Sequence, residues 1–337
     1  MPGDLRRQAI LVSLGLVALL AVVMVVFIVS YWLRDLAGFA TVHEILMAGG
    51  RAFDDLTGMN ALSHAFIWHS LATGVFIGIA APLIGTYLVH REMALIGETL
   101  AHTAFAGVAI GLLFATATDW HISLLVAALI VAIIGAFGVE WMAQRSKTFG
   151  DVPIAIMLTG SFAVGTIIIS AGQGLSAINI DSYLFGNIAF VTLDGARLMT
   201  VLGILVMAVI AVVHKPLMFI TFDQQAATVA RFNVRGYNIL LIVLTAVVVV
   251  GAMQILGVIL VAAMLVVPVA AATQIARSFN ETILLSVIFG QASILGGFFF
   301  SLEFALPAGG SIVVVSIAIY LAAILLSGRS LVPIAAH

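Results

Sequence analysis

The chain reads as an all-α, polytopic transmembrane bundle of about ten helices, and three observations carry that reading. Of its 337 residues 63% are hydrophobic and 8% are charged, against roughly a quarter charged in soluble domains, so no water-soluble surface can be built. Apolar runs long enough to cross a bilayer, about 20 residues each, recur along the whole chain. These runs are too uniformly apolar for alternating barrel strands, and lipid leaves backbone amides no partner except those a helix supplies.

Breaks at charged and turn-forming residues place the spans near 9–33, 64–90, 94–117, 121–143, 152–172, 195–213, 238–254, 256–276, 282–302 and 307–327. The first follows Arg6 and Arg7 but runs well beyond a signal-peptide core, and no clear small-residue cleavage site follows it, so it is expected to be a retained helix. Residues 35–63 are mixed and acidic (Asp35, Glu44, Asp54, Asp55), as for an external loop or amphipathic segment. Residues 173–194 are too broken to span yet too apolar for free solution, which fits a partly re-entrant or interfacial segment shielded by protein. Residues 217–237 form the longest polar insertion on the side expected to be cytoplasmic, helix-prone around Asp223 to Arg231 and broken at Gly236.

Basic residues orient the bundle. With the amino terminus in the cytoplasm and ten spans, Arg6, Arg7, Arg91, Arg145, Lys147, Lys215, Arg231, Arg235, Arg277 and Arg329 are cytoplasmic, and only Arg34, Arg51 and Arg197 fall outside. Both termini are then cytoplasmic in a cell membrane. A net charge of -2 leaves no basic face for nucleic acid, and the absence of cysteine removes disulfides and thiolate sites. No G-x-x-x-x-G-K-[ST] occurs, so any ATP would have to be hydrolysed by another subunit; His43-Glu44 is followed by Met47 rather than a second histidine, so the zincin motif fails. The chain is not expected to be an enzyme or to hold a permanent cofactor.

Glu98 and His102 in GETLAH stand four apart, on one helix face. Counted from Arg91 at about 1.5 Å per residue, His102 lies roughly 16 Å deep. Ionisable groups at such depth cost about 2.5–3.5 kcal/mol each and are functional candidates. Their spacing fits a nitrogen and oxygen ligand pair for zinc, manganese or ferrous iron, and equally a buried ion pair that fixes packing. His64 and His69, near the external mouth, are weaker candidates for cation handover. His43, His90, His121, His214 and His337 fall at loops or ends. Pro268 interrupts an apolar helix, with Gln254, Thr273 and Gln274 nearby, consistent with a pathway or with plain interhelical bonding. Gly74 with Gly78 and Gly107 with Gly111 form G-x-x-x-G pairs for close helix approach. The methionines are scattered, as packing residues.

Four stretches resemble the permease subunits of the zinc, manganese and iron importers of the ATP-binding-cassette class: REMALIGETLAHTAFAGVAIG (91–111), DSYLFGNIAFVTLDGARL (181–198), TFDQQAATVARFNVRGYNILL (221–241), and ILGVILVAAMLVVPVAAATQIARS (255–278) with LPAGGSIVVV (306–315). The resemblance covers about 64–327 and implies a type II importer permease fold. It divides the chain into an additional helix and external loop (1–63), a permease core (64–327) with a coupling segment near 219–237, and a cytoplasmic tail (328–337). It implies a second copy of the chain, two cytoplasmic ATPase subunits that dock around Asp223, Gln224, Arg231 and Arg235, an external metal-binding protein, and transport of zinc or manganese, possibly iron, past Glu98 and His102. The family usually carries aspartate at the position of Glu98. Other readings are a stand-alone channel or proton-coupled carrier, and a cobalamin or iron-siderophore permease of similar ten-helix plan, against which the GETLAH pair argues.

Overall fold

The computed structural model describes residues 3–35, 38–58, 61–117, 123–145, 152–171, 184–187, 191–258 and 260–327. Its elements are helices: α1 Gly3–Trp32, α2 Phe39–Thr57, α3 Ala65–His90, α4 Leu95–Ala117, α5 Leu124–Arg145, α6 Val152–Ala171, α7 Leu193–Phe222, α8 Gln224–Val229, α9 Val234–Leu256, α10 Val261–Ile275, α11 Phe279–Phe304 and α12 Ala308–Leu326. Among the described residues there is no strand, and nine helices are long and apolar enough to cross a membrane. The protein is a multi-pass membrane protein.

The tenth expected span, 256–276, is helical over only 15 residues. Its first part is irregular because Gly257 has φ +80, a left-handed conformation that ends α9. Bare backbone at that depth needs protein around it. Gly186 (φ +75), in the loop between α6 and α7, supplies it: a Cβ there would sit 2.0 Å from the Ile255 carbonyl oxygen. A Cβ on Gly257 would sit 2.3 Å from the Leu184 carbonyl oxygen, and one on Gly309 2.1 Å from that of Leu256. The YLFG, ILGV and PAGG stretches of the sequence thus meet at one backbone junction. The rest of the 173–194 segment lies mostly outside the described residues. Residues 35–63 contain α2, an amphipathic helix, the second of the two forms expected for this stretch.

α3 is the hub: 20 of its 26 residues are buried, against α1, α7, α9, α10 and α11. The predicted glycine pairs are contact points. Gly78 lies under Gln291 and Gly74 under Ile294 of α11; Gly107 and Gly111 lie against Ala128 and Ala127 of α5. Gly85 is the tightest against backbone, its absent Cβ 1.9 Å from the Leu265 carbonyl oxygen of α10. Several buried hydroxyls find partners inside their own helices, as Thr73 donates to the His69 carbonyl at 3.0 Å and Thr245 to that of Leu241 at 2.7 Å, which spares them the cost of an unmet donor.

The cations separate by end. At one, Arg6 Nη2 lies 2.6 Å from Glu281 Oε1 and also donates to the Ile275 carbonyl. There too the rings of Tyr87, His90 and Phe222 meet Phe279 edge-on at 5.4, 5.0 and 5.3 Å. At the other end Arg34 lies over Tyr31 and Arg197 over Trp32, at 5.3 and 5.6 Å from the ring centres. We call the first the basic end.

A methyl at Gly85 meets backbone, which has no free rotamer. Gly85→Ala is expected to lower stability by about 1–3 kcal/mol, while Gly49→Ala, where nothing lies within 4 Å, is neutral or gains about 0.5 kcal/mol. Thermal unfolding of the detergent-purified chain separates the two.

Candidate metal pathway and coupling surface

α4 begins at Leu95, because residues 91–94 form a turn in which Glu92 has φ 59. Glu98 therefore stands in the first turn of α4 and His102 in the second, roughly 10 Å along the helix. His102 is nearer the basic end than a helix counted from Arg91 would put it. Both side chains are half-buried. Nothing in the fold ties Glu98 into a salt bridge among the described residues. His102 packs edge-on to Phe162 of α6 at 4.9 Å, and its buried Nδ1 has no hydrogen-bond partner. The adjoining face of α4 is used structurally: Thr99 donates to the Ile154 carbonyl and Thr103 to Ser161 Oγ, each at 3.3 Å. α4 is thus sewn to α6 along one stripe and leaves a carboxylate and an imidazole on the next. Among the described residues no group of three histidine or acidic side chains comes together, so one copy offers two donors here.

His64 and His69 are not brought together. His64 is exposed, its Nδ1 3.2 Å from Ser63 Oγ. His69 is 7% exposed, and its ring lies 5.3 Å from Tyr31 and 6.1 Å from Phe27. Its neighbour is instead His43 of α2, whose ring lies 5.0 Å from Tyr31 and 5.2 Å from Phe27. His43 Nδ1 and His69 Nε2 are both buried without a hydrogen-bond partner. The sequence reading missed this pairing; the Phe27/Tyr31 spacing, one turn apart on α1, was the available signal. Burial, and behind it the Arg34 charge, holds His43 below its ordinary value against the pull of Glu44.

At the basic end, Arg91 fastens three helices. Its Nε donates to Thr221 Oγ1 at 2.9 Å, Nη1 to Asn238 Oδ1 at 2.8 Å and Nη2 to the Leu217 carbonyl at 3.2 Å. Burial lowers its guanidinium to about 10, with Tyr87 opposing, so it stays charged at neutral pH. Tyr87 in turn shares a 2.6 Å hydrogen bond with His214 Nδ1. Between Thr221 and Asn238 the chain makes the predicted insertion. Asp223 caps α8 by accepting from the Ala226 amide at 2.7 Å, and Asn233 caps α9 by accepting from Gly236 at 3.0 Å. Asp223, Gln224, Arg231 and Arg235 are all exposed, beside exposed apolar Phe222 and Val229, the latter at 85%. Capping and exposure present a short rigid knob. Of the other candidates, Thr273 donates within its own helix to the Ala270 carbonyl at 2.8 Å, and α10 runs through Pro268 without ending. His121 and His337 lie outside the described residues, as does the side chain of Gln254.

With this geometry in hand, known proteins can be compared. The family described as "ABC 3 transport family" matches residues 63–327. The chain belongs to that family. Membership agrees with the resemblance read from the four stretches. Among its relatives, the manganese transport system membrane protein MntC of Listeria innocua is 30% identical over 268 residues, covering 80% of this chain and 93% of the relative. The manganese import system permease protein ScaB of Streptococcus gordonii is 32% identical over 256 residues, covering 76% and 89%. PsaBC from Streptococcus pneumoniae, solved with a Fab, superposes with a TM-score of 0.68 at 28% identity over 80% of this chain and 93% of that one. A solved chain described as an inward-facing ABC transporter of metal-chelate type has a TM-score of 0.62 at 14% identity and covers 94% of this chain. That coverage extends the shared fold into the residues before 63, beyond the family match.

One anchor outside the spans is testable by pH. Asp54 accepts from the amides of Leu62 at 3.0 Å and Ser63 at 2.8 Å, closing α2 onto the entry to α3. Burial works against its charge, and the amides outweigh it, holding the carboxyl below its ordinary 3.8. A depressed carboxyl stabilises above its unfolded value and loses that contribution as pH falls through its folded value. Hydrogen exchange at Leu62 and Ser63, corrected for intrinsic rates, should stay flat from neutral pH down to about 4 and accelerate below it. Asp54→Ala should exchange fast at every pH.

Proposed function

We propose that this chain is the permease subunit of an ATP-driven importer of a divalent transition metal, manganese ahead of zinc. The observation that carries the reading is Glu98 and His102, one turn apart on α4 and half-buried, with no salt bridge at Glu98 and no hydrogen-bond partner for His102 Nδ1 among the described residues, in a chain whose relatives include a manganese transport membrane protein and a manganese import permease. A carboxylate with one imidazole and no sulfur suits manganese; a site of several imidazoles would suit zinc better. Two donors per copy are too few to strip a hydrated cation, and a second copy of the chain or retained waters would supply the rest.

In this reading the cation arrives from an external binding protein at the end that holds His64 and His69, passes Glu98 and His102, and leaves at the basic end. Residues 1–63 are an addition to the core at 64–327, the basic end with both termini and the 328–337 tail is cytoplasmic, and two ATPase subunits receive the capped knob of Asp223, Gln224, Arg231 and Arg235. Closure of the ATPases pushes α8. Arg91 hands that push to the turn that starts α4, so nucleotide state and access to the pair change together by alternating access.

The test is uptake into vesicles holding the chain with its ATPase. Manganese accumulation is expected only with ATP, reduced on the order of tenfold or more by His102→Ala and by Glu98→Gln. Full uptake by His102→Ala would remove the site; flux without the ATPase would make the chain a channel or carrier instead.

A further inference from the structure

Two adjoining cavities at the basic end are used by none of the sites above. One, of about 460 Å³, lies between the start of α1 and the α10–α11 turn, with Arg6, Arg7, Arg277 and Asn280 around it and Ile10 and Leu11 at its side. The other, of about 350 Å³, runs between α3, α7 and α11 and is walled by Leu83, Met207, Ile210, Ala211 and Ile283. Asn280 and Leu284 line both.

Their chemistry differs in a directed way. In the first, Glu281 answers one arginine, Arg6 at 2.6 Å, and its second oxygen accepts from the backbone amide of Arg277 at 2.7 Å. The guanidinium groups of Arg7 and Arg277 make no salt bridge among the described residues. Among the described side chains around it, three arginines stand against one glutamate, beside the exposed Asn280 amide. The second chamber is hydrocarbon except for His214 and Asn280. A free anion has no use for such a chamber, and a neutral lipid has none for two unanswered arginines. Arg7 stands at the start of the apolar span Arg6–Trp32 and Arg277 just ahead of the span Phe279–Phe304, the level at which a phospholipid would change from phosphate to chain.

We propose that an anionic glycerophospholipid binds here, its phosphate between Arg7, Arg277 and Asn280 and one acyl chain past Leu284 into the α3–α7–α11 chamber. The lipid then joins α1 to α11 beside the Arg6–Glu281 pair. This inference does not rest on the transport reading, and its test involves neither metal nor ATPase.

The full chain, purified in detergent, is titrated with phosphatidylglycerol or phosphatidylcholine of identical chains, and retained lipid is counted by native mass spectrometry. Phosphatidylglycerol should be retained on the order of tenfold better, since each interfacial arginine favours an anionic headgroup by about 1 kcal/mol. Arg7→Gln with Arg277→Gln should erase the preference, while Arg7→Lys with Arg277→Lys keeps it. Leu284→Trp, which narrows the passage, should weaken retention with all charges in place, and sn-glycerol 1-phosphate should not compete. Equal retention of the two lipids by the unaltered chain overturns the proposal. So does a preference that survives the double glutamine variant. Full competition by glycerol phosphate would leave only a site for free anions.

Discussion

Everything in this bundle depends on how closely backbones approach one another. Between helices in lipid there is no gain from removing water, so association rests on packing, and packing is best where side chains are absent. Gly85 against Leu265, Gly107 against Ala128 and Gly297 against the Ile312 backbone are such places. They let α3 hold five neighbours and let α10, only 15 residues long, sit inside a shell of longer helices. The junction of Gly186, Gly257 and Gly309 extends the same device to irregular backbone, where three segments close around the carbonyls of Leu184, Phe185, Ile255 and Leu256 and no side chain fits between.

Against that frame the polar residues divide into those that hold and those that are left free. Thr99, Thr103 and Ser161 join α4 to α6; Arg91 spends all three of its nitrogens on α7 and α9. Glu98 and His102 are not spent, although the same helix carries them. A membrane interior penalises unanswered polar groups, and their survival beside answered neighbours is what supports the proposed pathway.

Much of this was open to a reader of the sequence, for physical reasons. Apolar runs gave nine of ten spans because lipid tolerates little else, and the G-x-x-x-G pairs proved to be contact points, although which helix they meet is a tertiary fact. Glu98 with His102 was legible because i, i+4 geometry is local. The capped knob after Asp223 was legible from polar composition. Three things were not. Gly257 reads as one more residue in an apolar run; its positive φ, where Leu184 and Gly186 leave no room for a Cβ, ends α9 and leaves α10 short. His43 and His69 meet only because α2 folds back along α1. Arg91 read as a topological marker, since nothing local announces that three acceptors from other helices converge on it.

The fastening of α1 also orders events in time. Arg6 and the Ile275 carbonyl that it meets are 269 residues apart. α1, made 269 residues ahead of that partner, therefore waits in the bilayer, its outer face already in lipid, until α10 and α11 have followed. Chains enter from the amino end at about 5–20 residues per second, so that wait lasts on the order of ten seconds or more. During it α1 rests on α2 and α3, through buried Met24, Phe27 and Ile28 and the aromatic and imidazole contacts at its far end, and its seam with α11 closes late.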